Sequence, residues 1–157
     1  MTVQQGQILQ HYQTEIANGN LTEDVAQRAA ITALDQLSQL LTTPSHWWQR
    51  AKPIKGVYLY GPVGRGKSML MDIFYQRVSI EGKIRLHFHH FMKQVHERLS
   101  ELQGQKNPLN VIAKEWAEHI RLICFDEFFV SDIGDAMILG GLFKALFAQQ
   151  VVLVATS

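Results

Sequence analysis

Residues 61–68, GPVGRGKS, constrain the fold of this chain more than any other stretch. They fit the pattern G-x-x-x-x-G-K-S/T, in which glycines let the backbone turn tightly and point its N–H groups at phosphate oxygens. The pattern requires a strand before it and a helix that begins at its lysine. The apolar run GVYLY (56–60) and the helical spacing of KSMLMDIFYQRV (67–78) meet both requirements. The stretch therefore predicts a phosphate-binding loop.

Each residue of this loop is a candidate nucleotide ligand: Gly61, Pro62, Val63, Gly64, Arg65, Gly66, Lys67 and Ser68. We expect Lys67 to reach the β- and γ-phosphates and the Ser68 hydroxyl to ligate Mg²⁺. Arg65 is interpreted as structural rather than catalytic. A dinucleotide-binding G-x-G-x-x-G loop is excluded because its third glycine would fall at Met69. The competing interpretation is a glycine-rich turn that only caps a helix.

Apolar runs alternate with helical patterns along the rest of the chain. Further strands are predicted at 83–89, 122–125 and 151–157, and further helices at 91–102, 107–120 and 132–149. Strands separated by helices predict a parallel sheet covered on both faces, which is an α/β architecture.

An amphipathic helix is predicted ahead of this core, over residues 21–41. Thr22 is its expected N-cap. A connector containing two prolines and a glycine follows, so we divide the chain into an N-terminal helical segment (1–44) and a core (45–157). The expected apolar stripe of the helix consists of Val25, Ala29, Ala33, Leu37 and Leu41.

Two neighbouring acids follow the buried strand LICF. We expect Asp126 to bind magnesium and Glu127 to orient and deprotonate an attacking water, although an exposed acidic pair is the alternative. Thr156 and Ser157 end the last strand and are expected to face the γ-phosphate, because ligands of open α/β sheets bind beyond the carboxyl ends of strands. No N-K-x-D-type element for guanine is visible, so ATP with Mg²⁺ is favoured.

Charge is unevenly distributed. Residues 45–93 carry nine basic and two acidic residues, which indicates either a solvated basic face or a surface for polyanions. Trp47 and Trp48 in this segment either pack the connector against the core or stack on bases. The run HFHH (87–90) places His87 and His89 on one face of the predicted strand, and a structural or partner-facing role is favoured over zinc binding.

The single cysteine, Cys124, can form no internal disulfide and fits a reducing, cytosolic compartment. The N-terminus lacks the pattern of a signal peptide, and no window approaches a membrane-spanning length of apolar residues.

Four segments together are far more specific than the phosphate loop alone. They are GVYLYGPVGRGKSMLMDIFYQ, RLHFHHFMKQVHERL, LICFDEFFVSDIGDAMILGGLFKALF and VVLVATS. They resemble the ZapE cell-division ATPases of bacteria, whose mitochondrial relatives are the AFG-type ATPases, a branch of the AAA+ superfamily. The resemblance implies an AAA+ P-loop core, with the nucleotide loop at Gly61 to Ser68, catalytic residues Lys67 and Glu127, and Asp126 as a magnesium ligand. TEDVAQRAAI is similar to a D-x-x-Q-x-x-A segment of the family, so Gln27 is expected to meet adenine.

The resemblance also implies a cytoplasmic ATPase, peripheral at the division site, that destabilises FtsZ polymers. Division-ring proteins, inner-membrane proteins and other copies of the chain are the implied partners. The sensor asparagine of the family would directly follow Ser157, and its arginine finger and lid would lie beyond. We therefore expect a chain truncated at its C-terminus that binds ATP but hydrolyses it poorly. The alternatives are a nucleic-acid-associated ATPase such as a helicase loader, which would use the basic segment, and a non-enzymatic nucleotide-binding fragment.

Overall fold

The computed structural model describes residues 6–21, 23–42, 56–60 and 65–157. Four strands form one parallel sheet in the order β1-β4-β3-β2: β1 (Val57–Leu59), β2 (Lys83–His87), β3 (Leu122–Asp126) and β4 (Val152–Thr156). The helices are α1 (Gln7–Ala17), α2 (Val25–Thr42), α3 (Arg65–Arg77), α4 (Phe88–Glu101), α5 (Pro108–Ala117) and α6 (Ile133–Ala148).

Helices cover both faces of the sheet, as the alternating pattern predicts. Side chains of β3 alternate between the two faces, because successive residues of a strand point in opposite directions. Leu122 and Cys124 belong to one buried cluster, together with side chains from α1, α2 and α3. Ile123 and Phe125 belong to a second cluster, together with side chains from α4, α5 and α6. We call these sides the α1–α3 face and the α4–α6 face.

Helix α1 has no counterpart among the sequence predictions beyond a helical N-terminal segment. Its Ile8 and Tyr12 are buried in the cluster of the α1–α3 face. The buried carboxylate of Asp35 on α2 accepts a hydrogen bond from the Leu9 backbone N–H (3.2 Å) and another from the Gln39 side chain (2.8 Å). An acid on one helix thereby satisfies an N–H group at the start of another. The boundary proposed near residue 44 lies outside the described residues.

Helix α2 begins later than predicted. Thr22, the expected N-cap, lies outside the described residues, and the helix begins after Asp24. Asp24 caps it instead, since its Oδ1 accepts a hydrogen bond from the Ala26 N–H at 3.1 Å. The predicted range 21–41 was therefore wrong at its start.

The buried stripe of α2 is also rotated from the predicted one. Leu37 and Leu41 are buried as expected, but Val25 is 86% exposed and Ala29 is exposed too. The reason is that the alanine side of α2 lines an open pocket beside β1 rather than the core. The buried residues of α2 are Ile31, Leu34, Asp35, Leu37 and Leu41.

Strand β2 ends earlier than predicted. The strand expected over 83–89 stops at His87, and Phe88 starts α4 without a connecting loop. His89 therefore lies on a helix, and the prediction that it shares a strand face with His87 was wrong.

Candidate functional site

The carboxyl ends of the parallel strands and the start of α3 meet at one edge of the sheet. Register pairs Leu59 of β1 with Thr156 of β4, and His87 of β2 with Asp126 of β3. This is the edge where open α/β sheets bind ligands. Residues 61–64 of the predicted phosphate loop lie outside the described residues, as does the side chain of Arg65. Their predicted roles stay predictions.

Lys67 joins the first turn of α3 to the end of β4. Its Nζ donates to the Ser157 carbonyl oxygen at 2.6 Å and lies 3.5 Å from the Ser157 Oγ. The Ser157 N–H donates in turn to the Leu59 carbonyl at 3.1 Å, which ties β4 to β1. Ser68 follows on α3 and is exposed. The structure thus brings the predicted lysine and the last residue of the chain together.

Thr156 ends β4 and is 4% exposed. Its predicted role toward the γ-phosphate stays a prediction. Its carbonyl accepts a hydrogen bond from the Phe128 N–H at 2.7 Å, which holds the segment after β3 against β4. Ser157 is the residue of this pair that reaches the edge.

Asp126 ends β3 and is held by an arginine of the adjacent strand. Arg85 of β2 donates from Nε to Asp126 Oδ2 (2.7 Å) and from Nη2 to Asp126 Oδ1 (3.0 Å). Its remaining nitrogen, Nη1, donates to Asp72 of α3. Hydrogen bonding to Asp126 raises the pKa of Arg85, so this guanidinium stays charged at every accessible pH.

Glu127 leaves the sheet through a left-handed backbone conformation, with φ of 55°. Such a conformation is uncommon for residues other than glycine, and here it turns the side chain outward, to 84% exposure. Its Oε2 lies 3.9 Å from Nδ1 of His87, at the end of β2. The two predicted acids therefore occupy different environments, since one carboxylate is paired and partly buried and the other reaches into solvent.

A pocket of about 610 Å³ opens next to Lys67, between α2, β1 and the start of α3. Gln27 lines it, and the Gln27 Oε1 is buried without a hydrogen-bond partner among the described residues. A Cβ on Gly66 would overlap the Gln27 side-chain amide, so only glycine permits this approach. The other described lining residues are Asp24, Ala26, Ala29, Ala30, Ala33, Val57, Tyr58, Leu59, Tyr60, Gly66, Lys67 and Leu70.

These residues fit a magnesium nucleotide. The hydroxyl of Ser68 and the carboxylate of Asp126 are the hard oxygen donors that Mg²⁺ prefers. The unsatisfied amide oxygen of Gln27 sits in an apolar pocket, which suits an exocyclic amino group on a flat base.

Sequence reasoning missed Arg85 and assigned His87 only a structural or partner-facing role. The signal for Arg85 was its position on an alternating strand that carries basic residues at 83, 85 and 87. Knowing that β2 is the neighbour of β3 in this register would have placed Arg85 opposite Cys124, two residues before Asp126, but strand order is not visible in the sequence. His96, from the same histidine-rich region, lies on α4 and contacts Asp135 Oδ1 through Nε2 at 2.8 Å.

The profile of the AFG1-like ATPase family matches residues 7–157. The chain belongs to this family. The cell division protein ZapE of Escherichia coli (strain K12) is 60% identical over 105 residues, which cover 67% of this chain and 28% of that protein. Lactation elevated protein 1 homolog B of Danio rerio is 34% identical over 211 residues, covering 97% of this chain and 42% of that protein. The resemblance to ZapE-type ATPases is confirmed, and the chain spans less than half the length of these relatives.

Two solved structures share the fold of this AFG1-like chain. Domain III of the Thermotoga maritima replication initiation protein DnaA has a TM-score of 0.57 at 15% identity, covering 88% of this chain and 54% of that one. DnaI has a TM-score of 0.52 at 15% identity, covering 88% of this chain and 70% of that one. At this identity they show the fold alone, and the predicted α/β fold, a parallel sheet flanked by helices, is confirmed. Within the described ranges, every helix is too short or too polar to span a bilayer.

Proposed function

We propose that this chain binds ATP with Mg²⁺ at the carboxyl edge of its sheet and belongs to an ATPase that acts in cell division. The observation that carries the proposal is that Lys67, bonded at the end of β4, and Asp126 and Glu127, at the end of the neighbouring strand β3, lie at one edge of the sheet, with an apolar pocket beside Lys67. They come from two separate places in the sequence, and a P-loop ATPase needs their functions in one place.

The triphosphate would lie across the start of α3. Lys67 stands in its first turn, where unpaired backbone N–H groups and the positive end of the helix dipole favour anions. A phosphate oxygen is a charged acceptor, which forms a strong hydrogen bond with the Lys67 ammonium. Residues 61–66 are the proposed backbone ligands of the phosphates.

The base would occupy the pocket between α2 and β1. The small alanine side chains of α2 leave room for a flat ring, and Tyr58 and Tyr60 stack on each other at the rim, 6.0 Å between ring centroids. In the proposed complex the side-chain amide of Gln27, which lines the pocket, accepts a hydrogen bond from an exocyclic amino group. Adenine offers such a group at its C6 position and guanine offers an oxygen there, so Gln27 favours adenine.

Ser68 and Asp126 are the proposed magnesium ligands, with Asp126 acting directly or through water. When bound, Mg²⁺ neutralises charge on the β- and γ-phosphates. Glu127 is exposed and clear of Arg85, so its carboxylate is available to orient a water molecule and accept its proton.

The cellular role is proposed from the family. The Escherichia coli relative is named a cell division protein, which supports a role in cell division. Destabilisation of FtsZ polymers at the division site, and contact with division-ring and inner-membrane proteins, are the finer parts of the proposal. Assembly into a homo-oligomer and a cytoplasmic location, peripheral at the division site, belong to the same proposal.

Isothermal titration calorimetry of ATP in the presence of Mg²⁺ tests the site, with phosphate release measured on the same sample. We expect Lys67→Ala to weaken ATP binding about 10–100-fold, since it removes a charge-assisted hydrogen bond to phosphate. Lys93→Ala is the matched control, because Lys93 is an exposed lysine on α4. GTP should bind more weakly than ATP, and Gln27→Ala should reduce that difference. Equal ATP affinity in the wild type and Lys67→Ala would refute the site.

A further inference from the structure

All three side-chain nitrogens of Arg85 donate to carboxylates, those of Asp126 and Asp72. The fork made by Nε and Nη2 grips both oxygens of Asp126, and Nη1 bonds Asp72. The side chains of Arg85 and Asp126 are only 22% and 19% exposed, whereas that of Asp72 is 51% exposed. A bidentate pair at low exposure fixes geometry far better than an ordinary surface ion pair does.

Arg85, Asp126 and Asp72 form a triad, and Asp72 connects it to helix α3. Ser68 and Asp72 are four residues apart on α3, so they lie on one face of the helix, one turn apart. Arg85 therefore connects the face of α3 that carries Ser68 with the end of β3 that carries Asp126. These two elements supply the two proposed magnesium ligands, and within the described residues no other side chain is shown to bond both.

The bidentate contact with Arg85 leaves acceptor sites of Asp126 available to bind a cation. A carboxylate has about four acceptor sites, and Arg85 occupies two of them. The positive charge of Arg85 is permanent, because a guanidinium stays protonated in proteins. Without it, Asp72 and Asp126 would repel each other, and the Asp126 side chain would be free to rotate.

We propose that Arg85 is a positioning residue, which sets the distance between Ser68 and Asp126 and thereby couples magnesium to nucleotide binding. This inference rests on the proposed function. It states that Mg²⁺ strengthens ATP binding through Arg85, whereas ATP binding in the absence of Mg²⁺ does not depend on it.

Two opposing effects decide what removal of Arg85 does. Loss of a positive charge makes the site more attractive to any cation, and because the site is partly buried, salt screens this attraction only in part. Loss of the residue that orients a ligand typically weakens metal binding about 10–100-fold. We therefore expect the positioning effect to exceed the charge effect.

The experiment compares the dissociation constant of ATP in saturating Mg²⁺ with that in EDTA, by calorimetry. We expect Arg85→Met to lower the Mg²⁺ enhancement about 10–100-fold and to leave the EDTA value unchanged. Arg85→Lys should restore only part of it, because an ammonium cannot form the fork. Asp72→Asn removes the more exposed half of the triad and should lower the enhancement only about two- to fivefold.

Lys83→Met is the matched control for a merely structural effect. Lys83 lies on the same side of β2, two residues before Arg85, and donates to the Tyr75 and Val78 carbonyls at the far end of α3. It also ties β2 to α3, but away from the carboxyl edge. We expect Lys83→Met to lower thermal stability and to keep the Mg²⁺ enhancement.

The outcomes separate the two proposals. A wild type that binds no ATP under either condition would remove the proposed function and this inference with it. A wild type with a Mg²⁺ enhancement that survives in Arg85→Met, or grows there, would overturn this inference alone. Equal losses in Arg85→Met and Lys83→Met would also overturn it. Should Arg85→Met fail to fold by circular dichroism, Asp72→Asn decides: an unchanged enhancement there overturns the inference.

Discussion

The two faces of the sheet are covered by different kinds of side chain. On the α4–α6 face, aromatic rings contact one another in a chain, with ring centroids 4.7 Å apart between Phe91 and Phe125 and 4.8 Å apart between Phe88 and Phe128. On the α1–α3 face, the buried cluster is mostly aliphatic, and the open pocket lies beside it. Polar contacts, such as that between Lys67 and Ser157, connect the elements of the α1–α3 face at the carboxyl edge of the sheet.

This contrast indicates that the two faces have different roles, which we call the division between support and binding. The α4–α6 face supplies rigid support behind β3, while the α1–α3 face keeps space and polar groups for a ligand. The two meet at β3, where Cys124 points to one face and Phe125 to the other, directly before Asp126. If the division holds, stability and nucleotide binding should respond to different substitutions.

The largest expected effect comes from the aromatic face. Phe91→Ala removes a buried ring that contacts Phe125, Phe143 and Trp116, and such truncations cost about 3–5 kcal/mol. We expect this loss in the free energy of unfolding, measured by urea denaturation. Folded Phe91→Ala should bind ATP as the wild type does.

Phe147→Ala is the control, because Phe147 is 43% exposed and its recorded ring contact is to Phe143. It should cost less than about 1 kcal/mol. Loss of ATP affinity in folded Phe91→Ala would break the division, since it would show that the aromatic face also shapes the site.

The sequence predicts the α4–α6 face and the sheet better than it predicts the N-terminal helices. Strands such as LICF are short apolar runs next to well-marked helices, and Pro108 lies in the first turn of α5 as expected. In α2, by contrast, small alanines carry little information on which side is buried. The N-terminal part of the stripe was therefore assigned to the wrong side, and α1 was not predicted as a separate element.

At the site, local patterns predict residues but not their partners. Lys67, Asp126 and Glu127 follow from motifs that are contiguous in the sequence. The contacts of Arg85 depend on which strand lies beside β3, and this order is set by packing between distant segments. The burial of Thr156 has a similar cause, since the packing of β4 and not the chemistry of the side chain decides how much of it is exposed.

The next effect, of intermediate size, concerns Cys124. The pH dependence of the free energy of unfolding reports how well its thiol is buried in the α1–α3 face. Burial raises the pKa of its thiol to about 12, well above its ordinary value. Because the pKa is higher in the folded state, the stabilisation is complete below the ordinary thiol pKa and is lost as pH rises toward 12. The loss should be about 1.4 kcal/mol per pH unit above roughly pH 9.

The measurement is the free energy of unfolding of the wild type and Cys124→Ala between pH 8 and about pH 11, where other groups titrate equally in both. We expect the wild type to lose stability relative to Cys124→Ala as pH rises. Parallel curves would show that water reaches β3 through the α1–α3 face, and the contrast between the faces would then be larger than the buried cluster suggests.

The smallest effect concerns the packing of Gln27 against Gly66. Alanine in place of glycine in a helix normally gains up to about 1 kcal/mol, but a Cβ on Gly66 would overlap the Gln27 amide. Since that amide is the end of a flexible side chain beside an open pocket, we expect Gly66→Ala to change stability by less than about 1 kcal/mol. The gain should appear only when Gly66→Ala is combined with Gln27→Ala.

A double-mutant cycle from urea denaturation measures this coupling, which we expect to be at the low end of the range of about 0.5–3 kcal/mol for residues in contact. A cost of several kcal/mol for Gly66→Ala would mean that Gln27 is held as rigidly as the rings of the other face. The α1–α3 face would then be a preformed, tightly packed site. A small coupling instead means that Gln27 has room to adjust when a base enters, which is the freedom that the aromatic face lacks.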